Sequence, residues 1–358
     1  MKTVELRPED YRPQPPARKD YRIALLGCGN IARNAHLRAY REFGYQVVAA
    51  CDLLEDNLKL AREQYGLPAT TCEASELLAR DDYEILDLAV HANQRLAVVE
   101  QIVANRPANL KAILSQKPLA MTLADAERIV ALCEKAGIVF MVNQQARWAP
   151  AHRAAKQVLE SGALGHVYAV THFMRQSQDV AGTWFTKLEN ANIVDHGVHY
   201  LDLIRHFVGA DPIRVKAAVT MVPGQHAVSP MCHSVLLDFA PERQVTALSH
   251  FNNICQAPQL YHYDWYFDGT EGSLLMGHQE VVVSFKERPE AKQVFKLQGT
   301  WFPEAFGGSM GELMTALTEG RPPLTHGRDN LVSITVATAA VESGATGRAV
   351  ELAEMVPA

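Results

Sequence analysis

Four ionisable residues fall at close spacing in the stretch VDHGVHYLDLIRH: Asp195, His199, Asp202 and His206. In a helix turning about 100° per residue, all four share one narrow stripe. Most positions around them, including Val198, Leu201, Leu203, Ile204, Phe207 and Val208, are apolar. The pattern predicts a buried helix, in which charges are costly unless paired or used. A metal site, a proton relay and core ion pairs are the three chemistries that suit such a stripe. No cysteine lies near in sequence to add a thiolate, which makes a metal site the least favoured of the three. A histidine one turn beyond an aspartate suits proton removal, because imidazole titrates near neutrality.

A second constellation lies near the start, in YRIALLGCGNIARNAHLRAYREFG. Gly27, Gly29 and Ala32 form G-x-G-x-x-A between a strand pattern and a helix pattern. Gly27 allows a tight turn, Gly29 lets backbone approach a pyrophosphate, and Ala32 lets helix and sheet pack closely. Amides near Asn30 and Ile31, at the helix start, are placed to meet phosphate oxygens. Asp52 closes the next strand run, 20 residues past Ala32, where an acid meets adenosine ribose hydroxyls. Its charge repels a 2′-phosphate, and Leu53 and Leu54 supply no cation, so NAD is favoured over NADP. Cys28 is read as a small residue that fits this turn, in preference to an acidified thiol.

A third candidate is Lys117 in ILSQKPLA, at the end of the fifth strand run of an alternating strand–helix pattern. Ligands of parallel sheets bind at that carboxyl edge, and Pro118 fixes the chain direction there.

The elements that must carry these residues follow from the patterning. From Tyr21 to Asn143 the apolar runs RIALLG, QVVAACD, EILDLAV, KAILS and IVFMVN alternate with helical spacing. That order predicts a parallel sheet covered on both faces. Thr122 is placed to cap the helix in TLADAERIVALCEKAG, which Gly137 ends. After about residue 146 come one helix, AHRAAKQVLESG, and then strand-like runs separated by turns, which predict an antiparallel sheet. Two helices, around 311–319 and 328–343, follow. The expected organisation is α/β: an extended arm over 1–20, a Rossmann domain over 21–146 and an α+β domain over 147–358. The last is expected to hold a large open, mainly antiparallel sheet.

Composition narrows the partners. The net charge of −6 leaves no basic footprint for nucleic acid. No run of 18 apolar residues is present to span a membrane. The first twenty residues carry four prolines and no apolar signal core, so they read as an extended arm lying on a neighbouring surface. Six scattered cysteines without a C-x-x-C read as free thiols in a reducing cytoplasm.

Taken in order, G-x-G-N-I-A, the acid closing the second strand, K-P at the fifth, NQQARWAP after the sixth and D-x-G-x-H in the second half resemble the Gfo/Idh/MocA family. FDGTEGSLLM and ATAAVESGATGRAVEL extend the likeness from Tyr21 to Leu352, leaving out the proline-rich arm. The resemblance implies a Rossmann domain plus an open sheet, and NAD(P)-dependent hydride transfer at a carbon of a sugar, inositol or related polyol, with no metal expected. It puts the catalytic lysine on Lys117 and the aspartate and histidine on Asp195 and His199. In that scheme His199 removes the hydroxyl proton, Lys117 stabilises the alkoxide and Asp195 orients the hydroxyl, with lysine and imidazole converging beside a nicotinamide. Asp202 and His206 are then structural partners deeper on the helix.

The chain departs from the family pattern in three places. Gln116 stands where glutamate is usual before the lysine. VHANQRL keeps Asn93 but not the usual proline and later histidine, so Asn93 and His91 are carried over as cofactor neighbours, together with Gln116. Asn190, Ala191 and Asn192 replace glycines before the aspartate, and Asn190 and Asn192 suit a hydroxylated substrate. Arg147, Trp184 and Lys187 complete the pocket candidates, with Arg147 also suited to bracing the domain junction. A homodimer or homotetramer through the second-domain sheet is expected, since a helix-free face needs a cover. Two other functions compete: an NAD-binding sensor without turnover, and a redox-neutral glycosidase using bound NAD.

Overall fold

The strand runs of the first half form a six-stranded parallel sheet in the computed structural model, which describes residues 3–355. Its strands are β1 (Arg22–Leu26), β2 (Gln46–Cys51), β3 (Thr70–Thr71), β4 (Ile85–Leu88), β5 (Ala112–Gln116) and β6 (Val139–Asn143), in the order β3-β2-β1-β4-β5-β6. All five pairings are parallel. Both faces are covered, so the strand interiors are apolar runs without alternation, as in the wholly buried β4. The order in which strands are added reverses between β1 and β4, which opens a crevice at their carboxyl ends. Thr122 accepts a hydrogen bond from the Asp125 amide and caps the helix Leu123–Lys135, and Gly137 beyond it adopts a positive φ.

One compact unit holds this sheet and comprises 12–149 and 300–331; the other comprises 3–11, 150–299 and 332–355 within the described residues. The division is thus discontinuous, whereas apolar patterning suggested a single crossing near residue 146. Helix Glu304–Glu319 returns to the first unit because its buried face, including Phe306, Met310, Leu313 and Met314, packs with Tyr40, Phe43 and Tyr45. Composition carries no mark of such a return.

The second unit has a nine-stranded sheet of β7 (Val167–Arg175), β8 (Arg214–Thr220), β9 (Cys232–Asp238), β10 (Thr246–Asn252), β11 (His262–Gly269), β12 (Gly272–Met276), β13 (Glu280–Phe285), β14 (Gln293–Lys296) and β15 (Val350–Glu351). The order is β14-β13-β12-β11-β7-β10-β9-β8-β15. Seven of its eight pairings are antiparallel; β7 and β10 pair in parallel at the centre. A simple meander fails because β8 and β9 insert on the far side of β10. Helices Pro150–Glu160 and Val198–Val208 pack on one face. The other face carries Leu236, Leu248, Tyr266 and Val294, all exposed.

The arm was expected to lie on a neighbouring surface, but it packs against its own chain. Tyr11 is buried at the end of a short helix (Pro8–Tyr11), its carbonyl accepting from Arg153 and its hydroxyl from the Gln298 amide. Arg12, in the other unit, pairs with Glu304.

Candidate active site

The cofactor turn sits where the glycine pattern put it, between β1 and a helix. Gly27 has φ +100° and a Cβ there would come within 2.9 Å of the Ala89 backbone, so only glycine fits. A Cβ on Gly29 would meet nothing within 4 Å, which leaves the open ground a pyrophosphate needs. Asn30 and Ile31 are exposed at this edge. The residues therefore fit a dinucleotide. Asp52 is tied to the turn: one carboxylate oxygen accepts from the Cys28 amide at 2.6 Å, the other from the Leu54 amide and the Asn57 side chain. Burial, aided by Asp52, pushes the Cys28 thiol up to about 12, so it is no acidified nucleophile.

Sequence reading missed Arg33, which reaches the Cys28 carbonyl and the Asn57 side-chain oxygen, each at 2.7 Å. A cation therefore stands near Asp52 despite Leu53 and Leu54; it arrives one helical turn past Gly29, outside the segment inspected for it.

Lys117 follows β5 at the same carboxyl edge, two strands or roughly 10 Å across from the turn. It is half-buried, with Pro118 buried behind it. Arg95, 1% exposed, donates to the carbonyls of Pro118, Leu119 and Val90, tying the segment after Lys117 to the helix Ala92–Ala104. His91 and Asn93 stand exposed at the start of that helix, on the same edge. Gln116, carried over as a cofactor contact, instead turns inward. Its oxygen accepts from the Lys117 amide at 2.7 Å and its nitrogen meets His36 Nε2 at 2.9 Å. His36 and its partner Asp87 were also missed, although an aspartate within the apolar run ILDL is a visible signal, since burying it alone is prohibitive.

In the second unit the expected α-helix over Val194–His206 begins differently. Asn192–Gly197 is a wide π-type turn that runs into the α-helix Val198–Val208. The stripe is therefore broken between Asp195 and His199, and such widened turns recur at functional sites. Asp195 and His199 are nearly buried, at 7% and 8% exposure, and His196 Nε2 lies 3.9 Å from Asp195. Asp202 is fully buried: Ser333 donates to it at 2.6 Å and Arg205 lies 3.6 Å away, so its role is structural. The ring of His206 stacks at a tilt on Phe207, and its carbonyl accepts from Lys156.

The remaining pocket candidates divide. Asn190 has φ +56° and is a turn residue, its amide donating to Ser229. Asn192 is a correction: at 1% exposure its amide is spent on His233 and Asn253, so it braces the wide turn. Arg147 pairs with Asp329 at 3.2 Å, and both residues belong to the same unit, so this pair is not a brace across the domain junction. Trp184 and Lys187, on the short helix Trp184–Lys187, are exposed. Among the described residues no cluster of ligand-type side chains could hold a metal, and all six cysteines are free thiols.

A doubly wound sheet in this order, with a dinucleotide turn and a lysine on one edge and a second unit built on an open mixed sheet, defines a nicotinamide-dependent oxidoreductase. Residues 21–144 match the family model of an oxidoreductase family with an NAD-binding Rossmann fold, and residues 152–275 match the GFO/IDH/MocA C-terminal domain. The chain belongs to the Gfo/Idh/MocA family. It is 30% identical to the D-apiose dehydrogenase of Paraburkholderia graminis, over 93% of this chain and 90% of that one. It is 22% identical to the NAD(+)-dependent scyllo-inositol 2-dehydrogenase of Bacillus subtilis, over 92% and 96%. A crystal structure of an oxidoreductase from Agrobacterium radiobacter, in complex with NAD+, L-tartaric acid and magnesium, aligns with TM-score 0.83 at 27% identity, covering 94% of this chain and 100% of that one.

Proposed function

We propose that this protein oxidises a secondary alcohol of a small sugar or related polyol with NAD, or reduces the corresponding ketone. The observation that carries the reading is the pairing, on one sheet edge, of an open glycine turn tied to Asp52 with a half-buried lysine. Gly27, Gly29, Asn30, Ile31 and Asp52 hold the dinucleotide, with His91 and Asn93 beside the nicotinamide end. Bound NAD supplies the hydride acceptor. His199 takes the hydroxyl proton, Lys117 stabilises the developing alkoxide, and Asp195 orients the hydroxyl. Trp184, Lys187 and Asn190 line the substrate's approach. The D-apiose dehydrogenase among the relatives makes branched and linear pentoses the first substrates to try.

The test is a panel of pentoses, hexoses, inositols and sugar acids with NAD or NADP, followed at the reduced nicotinamide absorbance. On the best substrate, Lys117→Met and His199→Asn should each lower kcat by about a thousandfold. The double variant should lose little more than either single one if both serve a single carbinol. Full activity in either single variant overturns the assignment. Tight NAD binding with no turnover across the panel marks a sensor, and a cleaved glycoside without net redox change marks the redox-neutral route.

Two further readings belong to this proposal. The exposed apolar residues on the helix-free face of the second sheet favour a homodimer or homotetramer formed through it, checked by light scattering. Six free thiols suit a reducing cytoplasm, and among the described residues no helix is long and apolar enough to cross a membrane.

A further inference from the structure

We propose that Asp87, His36 and Gln116 form a relay that positions Lys117, and that Gln116 works there because it is an amide and not a carboxylate. The chain of contacts lies wholly within the parallel-sheet unit. Asp87, on β4, and His36, on the wide turn Ala32–Leu37, are both fully buried. Asp87 Oδ2 lies 2.7 Å from His36 Nδ1 and accepts a second hydrogen bond, also 2.7 Å, from the Tyr40 hydroxyl. The far side of the imidazole, Nε2, faces the Gln116 amide nitrogen at 2.9 Å, and Gln116 Oε1 accepts from the Lys117 backbone amide at 2.7 Å.

Donor and acceptor roles along this chain follow from its two ends. The Lys117 N–H can only donate, so the Gln116 atom facing it is the oxygen, and the NH₂ faces His36. A group with only hydrogens to offer needs an acceptor, so His36 Nε2 is bare and Nδ1 carries the proton. That proton points at Asp87, which can only accept as a carboxylate. Every role is determined, and reversing any one puts donor against donor or acceptor against acceptor. The outcome is a neutral imidazole clamped at both nitrogens, with the peptide preceding the lysine side chain fixed in direction. Arg95 holds the carbonyls on the other side of that lysine.

A carboxylate in place of Gln116 would keep the Lys117 bond but aim an oxygen at a bare imidazole nitrogen. The ring would then need a second proton to sit between two carboxylates. The groups facing it are Asp87 from β4, Tyr40 from the helix Arg38–Phe43, Gln116 from β5 and the uncharged Phe306 ring 4.8 Å away. The amide avoids that demand, because it offers the imidazole a donor and the Lys117 amide an acceptor at once. What Lys117 does chemically rests on the function proposed above; the relay and its tautomer do not.

Histidine-selective ¹⁵N NMR of the full chain tests it, with the His36 signal identified by its loss in His36→Asn. The expected spectrum shows His36 protonated on Nδ1 and bare on Nε2. In Gln116→Glu, which takes away the donor to Nε2, that pattern should be lost. Gln116→Met, which keeps length but removes both hydrogen bonds, should lower kcat by about ten- to a hundredfold while the Kd for NAD moves less than about threefold. Gln116→Glu, which keeps an acceptor for the Lys117 amide but offers no donor to His36, should restore only part of that kcat. A His36 protonated on Nε2 in the parent, or an unchanged kcat in Gln116→Met, overturns the relay. Full activity in Lys117→Met with the expected tautomer would instead overturn the role given to the lysine and leave the relay standing.

Discussion

Each of the two units opens one helix with the same irregularity, a six-residue π-type turn: Ala32–Leu37 in one and Asn192–Gly197 in the other. Neither has a side-chain cap, and both pass directly into an α-helix. They differ in how far the polar side chains on or just after them are enclosed. In the first, His36 is fully buried and held at both nitrogens, so it supports a neighbour. In the second, Asp195 and His199 keep 7% and 8% of their surface, while Asn192, His233 and Asn253 do the bracing from beneath. A widened turn buys room for a polar side chain within an apolar helix; whether that side chain acts or supports is decided by what meets it across the core.

The largest effect that would test this contrast is the loss of a buried carboxylate. Asp87→Ala leaves the buried His36 N–H and Tyr40 hydroxyl without their acceptor and should cost about 3–5 kcal/mol of stability. Asp202→Ala, beneath the second turn, should cost roughly half as much, because Arg205 keeps its bond to Asp211. Urea denaturation of both variants would decide, and equal losses would erase the distinction.

A smaller effect separates the two turns by their glycines. Gly29→Ala should leave the melting temperature nearly unchanged but weaken NAD binding about tenfold or more, since its Cβ enters open ground. Gly197→Ala brings a Cβ to 3.0 Å from the Asn192 carbonyl and 3.4 Å from the His233 ring, and should cost about 1 kcal/mol with NAD affinity intact. Calorimetry and cofactor titration of the two variants check both halves.

A further effect is a pH dependence that arises in the second unit. Burial lowers His233 to about 3, and lowers His172, stacked on Tyr200, well below its ordinary value. Both folded values lie below the unfolded one of about 6.5, so the unfolded chain takes up protons first on acidification. Their contribution is complete above about pH 6.5 and is lost progressively toward pH 3. Thermal scans from neutral to acid pH should show this loss, and His233→Gln should flatten it.

Much of the architecture was legible in the chain itself. The alternating runs from RIALLG to IVFMVN became a parallel sheet, and Thr122 capped its helix as its spacing implied. Strands of roughly period two, such as HSVLLD in β9, became an open sheet with one buried face. Less legible were the two-residue strand β3, too short to leave a pattern, and the parallel β7–β10 pair, which depends on where β8 and β9 insert. The return of 300–331 to the first unit was likewise invisible.

The candidate site divides along the same line. The turn made by Gly27 and Gly29 and the place of Asp52 beside it were legible because they depend on residue type and on spacing along the chain, whereas Lys117, Asp195 and His199 were singled out by residue type together with the family resemblance. Arg33, His36, Asp87 and Arg95 could not be assigned, and Asn192 was assigned wrongly, because their roles depend on partners 24 to 80 residues distant for the first four, such as Asn57, Gln116 and Leu119, and 41 to 61 for the last. Local spacing determines backbone conformation and the direction in which a side chain leaves it. Which donor meets which acceptor is determined only when separate strands and helices are brought into register, and burial then makes each unpaired group too costly to leave.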